Sequence, residues 1–127
     1  MRTRPPEIDD RHLLDALAER WHFHAASIHY LAEGAGSHHW IGVDPAGDRR
    51  FVTVDEIGKN WMGTSPDEAA QRLSEAFGTA AALKSAGLEF VVAPLADRDG
   101  MLLHRILPNF TIALFPYIEA SVATVNA

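Results

Sequence analysis

The sequence predicts an α+β domain: an antiparallel sheet of about five strands, one long covering helix and a short N-terminal helix. Three observations predict it. Between residues 26 and 55, short apolar runs alternate with polar residues and are separated by turn chemistry, as in consecutive antiparallel strands. At Ser65 a helix-start signal opens a long stretch with helical apolar spacing. After Gly87 the pattern returns to short apolar runs split by Asp97-Arg98-Asp99-Gly100 and Pro108-Asn109. A meander followed by one helix and more strands places that helix on one face of the sheet.

Residues 1–7, with Pro5 and Pro6, read as a disordered lead, which the domain boundaries extend to residue 8. Asp9 or Asp10 caps the first helix, in which Leu13, Leu14, Leu17, Ala18 and Trp21 form one apolar stripe. Ile28 and Tyr30 alternate with Ser27, His29 and Leu31 in a first strand, and Glu33-Gly34-Ala35-Gly36-Ser37 interrupts it. Residues 38–43 form a second strand. Asp44-Pro45-Ala46-Gly47 is a turn in which Pro45 presets φ and Gly47 tolerates a positive φ. The third strand, 49–55, puts Phe51, Thr53 and Asp55 on one face and Val52 and Val54 on the other.

Residues 57–64 read as a loop. Ser65-Pro66-Asp67-Glu68 is a capping box with proline at the first helical position, and the helix runs from 66 to 86 with Gly87 as its stop. Ala69, Leu73, Ala76, Phe77, Ala80 and Leu83 make its apolar face. Strands follow at 89–93, 101–107 and 110–118, with Pro116 at a strand end or edge. No repeat or linker divides the chain: residues 1–120 make one domain and 121–127 a short tail.

The 127 residues, 47% of them hydrophobic, suffice for one domain with a core and not for two. A net charge of −6 argues against a nucleic-acid binder with a broad basic face. The absence of cysteine excludes disulfides and thiol catalysis. No apolar run approaches the roughly 20 residues of a membrane helix, and residues 1–7 lack a signal-peptide core, so a cytoplasmic protein without membrane contact is expected.

Four segments in this order resemble the N-terminal lobe of the aminoglycoside phosphotransferase family, a divergent kinase-like fold. Residues 31–37 stand where that family keeps its nucleotide loop. Phe51-Val52-Thr53-Val54 stands on the strand of its ATP lysine. Residues 65–87 resemble its long helix, and Ala113-Leu114-Phe115-Pro116-Tyr117-Ile118-Glu119-Ala120 the hinge between its lobes. The resemblance covers residues 13–120, and its specificity lies in order and spacing, since each segment alone is weak.

Chemistry fits each segment. Gly34 and Gly36 carry no Cβ, so backbone N–H groups there can approach phosphate oxygens, and Ser37 adds a hydroxyl; the plain alternative is a hairpin loop. Phe51 is placed to stack on adenine or simply to pack. The resemblance puts Phe115 at the gatekeeper position, the Pro116 carbonyl on the adenine amino group and the Ile118 N–H on the ring; the plain alternative is an ordinary edge strand.

Thr53 departs from the pattern. It occupies the position of the phosphate-binding lysine and cannot supply a charge-assisted contact. A one-residue slip brings Val52 or Val54 there, and Lys59 lies beyond the strand. The lysine's glutamate partner would be Glu75 or Glu68, yet both lie about 200–220° around the helix from Leu73 at about 100° per residue, facing solvent. Ala120 replaces the glycine usual at the lobe junction.

Seven histidines include the pairs His22/His24 and His38/His39, but none has partners at metal-ligand spacing. His38 and His39 flank the glycine segment, and solvent exposure is expected for them.

The family's catalytic aspartate, metal ligands and acceptor pocket belong to the C-lobe, which these residues do not resemble. The expected function is an N-lobe-like fragment of an aminoglycoside-phosphotransferase-like protein. It would lack transfer activity alone and bind ATP weakly at most, with Mg²⁺ only alongside a C-lobe. The alternative is a stand-alone module that self-associates or takes a C-lobe-like partner through the face the second lobe would cover.

Overall fold

The computed structural model describes residues 5–32, 37–57, 65–88 and 91–117. Helix α1, Asp10–Trp21, is capped by Asp9, not Asp10: the Asp9 carboxylate accepts the His12 N–H at 3.0 Å, and the Asp9 N–H donates to His12 Nδ1 at 3.2 Å. Leu13 and Leu17 point inward and are fully buried. Ile8, expected in a disordered lead, lies in the core at 1% exposure. It directly precedes the cap, and Leu13 is the fourth helical residue. These are the two positions of a hydrophobic staple, which anchors chain that composition alone marks as loose.

Five strands follow: β1 Ser27–Leu31, β2 His38–Val43, β3 Arg49–Glu56, β4 His104–Ile106 and β5 Phe110–Pro116. They form one antiparallel sheet in the order β1-β2-β3-β5-β4. The β2–β3 turn is the one its residues specify. Asp44 Oδ1 accepts the N–H groups of Ala46 and Asp48, and Gly47 takes φ +90°. Strand β5 pairs on both sides, with β3 and β4, so it is not the edge strand of the plain alternative. Pro116 is its last residue, opposite Arg50, where a missing N–H costs the ladder least.

The sheet has two unlike faces. Trp40, Val52, Val54, Ile112 and Leu114 face α1 and make the main core with Leu13 and Leu17. The opposite face carries Phe51, Thr53 and Asp55 from β3, and it looks toward the second helix.

Helix α2, Pro66–Ser85, begins as its residues dictate. Ser65 Oγ accepts the Glu68 N–H at 3.2 Å, Pro66 is the first helical residue, and Gly87 beyond the end takes φ +101°. The Glu68 carboxylate accepts from the Ser65 hydroxyl at 3.2 Å rather than from the Ser65 backbone N–H, so the expected capping box is completed only on its Ser65 side. Arg105 on β4 pairs with Asp67 in the first turn. The apolar face is used in part: Ala69 is buried, Leu73 and Phe77 are half-buried, while Ala76 and Leu83 are exposed.

The last third is less regular than its apolar runs imply. Residues 91–103 form no strand, against the expectation for 89–93 and for a strand starting at 101; residues 89 and 90 lie outside the described residues. Leu95 N–H reaches Leu114 O at 2.7 Å as a single contact. Asp97 then captures the N–H groups of Asp99 and Met101, both at 2.8 Å, which would otherwise serve a ladder.

The same Asp97 ties this segment to α1. Its carboxylate receives Arg20 Nη2 at 3.1 Å and meets His104 Nε2 at the same oxygen, while Trp21 Nε1 donates to Leu95 O at 3.0 Å. Burial disfavours the charge on Asp97. Hydrogen bonds from His104, from the Met101 and Asp99 N–H groups and from Arg20 outweigh it, holding the carboxyl well below the usual carboxylate range. Among the described residues, no helix is long and apolar enough to cross a membrane.

Candidate functional site

Between α2 and the face of β2, β3 and β5 turned away from the α1 core lies a cleft of about 330 Å³. That is the small end of the range for ligand pockets, roughly 300–1,000 Å³. Strand alternation aims Phe51, Thr53 and Asp55 into it from β3, and antiparallel register brings Phe115 opposite Phe51. Helix α2 contributes Leu73 and Phe77, one turn apart. The Phe77 ring meets Phe115 edge to face, centroids 5.6 Å apart.

The cleft has an apolar and a polar end. Phe51, Leu73, Phe77, Val92 and Phe115 form the first, and Ser37, His39, Thr53 and Asp55 the second. The polar groups are cross-strand pairs. Ser37 donates its hydroxyl to Asp55, and His39 Nδ1 lies 3.3 Å from Thr53 Oγ1, its partner in the β2–β3 register. His39, expected in solvent, is 8% exposed, because the register carries it onto this face. His38 points the other way, half-buried, with Nδ1 2.9 Å from the Tyr30 hydroxyl.

Ser37, Phe51, Thr53 and Phe115, singled out in the sequence, thus line one cleft. Phe51 also stacks on Tyr117, centroids 5.2 Å apart, so one side of its ring is already occupied. Pro116 stands at the end of β5 and is not a lining residue. Gly34, Gly36 and Ile118 lie outside the described residues, as do Lys59 and Ala120. Val52 and Val54 are fully buried on the α1 side, away from the cleft. Glu68 and Glu75 are exposed on α2, as their helical phase requires. His39 and Asp55 are cleft residues that the motifs did not single out. The strand register held the signal: once Val43 pairs Arg49 across the turn, His39 must face Thr53.

Among the described residues, no three His, Asp or Glu side chains stand together as a metal site. No Lys or Arg belongs to the described lining.

No family model matches the sequence, and no curated protein matches it. Solved structures do match the fold. The crystal structure of spectinomycin phosphotransferase, APH(9)-Ia, in complex with ADP and spectinomycin superposes with a TM-score of 0.66 at 14% identity, over 91% of this chain and 31% of that one. Amicoumacin kinase hAmiN, in complex with AMP-PNP, Ca²⁺ and Ami, gives a TM-score of 0.57 at 16% identity, over 90% of this chain and 34% of that one. The fold is a kinase-like N-lobe. At these identities the likeness is one of fold, and this N-lobe-like chain spans about a third of the length of either structure.

Proposed function

We propose that the cleft is a weakened adenine-nucleotide site. In this reading the chain is an N-lobe-like fragment of an aminoglycoside-phosphotransferase-like protein that transfers no phosphoryl group by itself. The observation that carries it is the convergence of Phe51, Thr53 and Phe115 on one cleft, with neutral Thr53 where the resemblance places the phosphate lysine. Support also comes from the similar folds that hold ADP and AMP-PNP. Apolar rings supply a surface for a purine. Phosphoryl transfer needs in addition a base and metal-held phosphates, and in this reading a C-lobe-like partner brings both, with Mg²⁺ bound only in its company.

Thermal denaturation with and without ATP tests the nucleotide reading. A millimolar Kd at 1 mM ligand stabilises by about 0.4 kcal/mol, or roughly 1–2 °C in Tm for a domain of this size. A shift of several degrees at 1 mM ATP, abolished by Phe51→Ala, would show a competent triphosphate site and overturn the weak-binding reading.

A further inference from the structure

We infer that the cleft prefers an uncharged adenine nucleoside to its phosphorylated forms, the reverse of the ranking a phosphotransferase needs. The inference rests on the adenine reading above and concerns what the polar end selects.

Three features carry it. First, the described polar groups are tied to one another across the β2–β3 pair: the Ser37 hydroxyl donates to Asp55, and Thr53 and His39 share one hydrogen bond. A phosphate that took the Ser37 hydroxyl would have to break its bond to Asp55. Second, Asp55 presents a carboxylate, which only accepts hydrogen bonds. It can take one from a ribose hydroxyl and offers none to a phosphate oxygen. Third, the whole chain carries a net charge of −6, so a polyanion approaches against the field. The five described apolar lining residues suit a flat ring, and a cleft of about 330 Å³ suits a ligand without a long phosphate tail.

The experiment is a titration of the unmodified chain with adenosine, AMP, ADP and ATP, followed by backbone amide shifts in NMR. Binding is located by the amides of Phe51, Thr53, Phe77 and Phe115. Adenosine should bind tightest, with affinity falling as phosphates are added. Raising the salt concentration should strengthen ATP relative to adenosine, because screening relieves repulsion, whereas a phosphate cradle shows the opposite slope. Asp55→Asn keeps an acceptor for Ser37 and removes one charge. It should narrow the adenosine-to-ATP ratio by about three- to tenfold, the effect of one charge at a partly hydrated distance.

ATP binding tighter than adenosine overturns this inference and leaves the cleft as a nucleotide site. Failure of every adenine compound to shift the cleft amides of a folded sample overturns the adenine reading itself. An adenosine preference unchanged by both salt and Asp55→Asn removes electrostatic selection and defeats the inference.

Discussion

Arg20 on α1 and Asp97 before β4 stand 77 residues apart in sequence and meet at 3.1 Å, with the Asp97 side chain wholly out of solvent. This contact fixes the irregular 91–103 segment to the helix on the core side of the sheet. Removing the Asp97 carboxylate orphans the Asp99 and Met101 N–H groups and takes from Arg20 its buried partner, leaving it only exposed Asp99, at a cost of about 3 kcal/mol. Asp97→Ala should therefore lower the urea midpoint sharply. Asp99 also touches Arg20, at 2.8 Å, but is 59% exposed, so Asp99→Ala should cost roughly 0–1 kcal/mol. Equal losses for the two variants would show that the buried pair is not the anchor.

Acid should act through the same carboxyl. Asp97 is held well below its ordinary value of 3.8 in the folded chain by His104, backbone N–H groups and Arg20, against the opposing effect of burial. Between the folded and unfolded values the unfolded chain binds more protons, so stability falls as pH drops. The contribution is complete above about pH 4 and fades below it. Urea midpoints measured from neutral pH downward should fall more steeply below that point in the wild type than in Asp97→Asn. Parallel curves would contradict the assignment.

Much of this fold can be read in the chain because its signals are local. Asp44 and Gly47 specify the β2–β3 turn, Ser65 and Gly87 bound α2, and the alternation in β3 separates Phe51, Thr53 and Asp55 from Val52 and Val54. What escapes depends on partners distant in sequence or on backbone that no residue type announces. The apolar run at 101–107 reads as strand, yet β4 is only His104–Ile106, because Asp97 diverts the preceding N–H groups. Ile8 is buried through a staple with α1. The cleft is legible as far as β3 and β5 supply it. Asp55 follows from the alternation of β3, whereas His39 emerges only when the β2–β3 register is followed residue by residue.

Leu107 gives a further test of local backbone cost. It links β4 to β5 at φ +54°, a left-handed conformation, and its side chain is 39% exposed. A residue with a Cβ pays about 1–2 kcal/mol there, and glycine does not. Glycine also gives back part of that gain through unfolded-chain entropy. Leu107→Gly should thus stabilise the domain by about 0.5–1 kcal/mol, read as a higher urea midpoint with an unchanged slope. A lower midpoint would mean that the exposed Leu107 side chain carries packing that outweighs its backbone strain.

Phe77 should be the hinge pin of α2. The helix has one buried residue, Ala69, and residues 82–85 at its end are exposed, so Phe77 against Phe115 is the main aromatic contact holding its middle to the sheet. Phe77 is only half-buried, so its truncation should cost about 1–2 kcal/mol, less than the roughly 3–5 of a core phenylalanine. The loss should be local. Hydrogen exchange in Phe77→Ala should quicken along Pro66–Ser85 while β2, β3 and β5 keep their protection, since their core lies on the α1 side. The same variant should weaken adenosine binding, because the cleft loses a wall. Uniform acceleration across the sheet would instead make α2 part of one cooperative unit with the α1 core, and the cleft would then be as rigid as the rest of the domain.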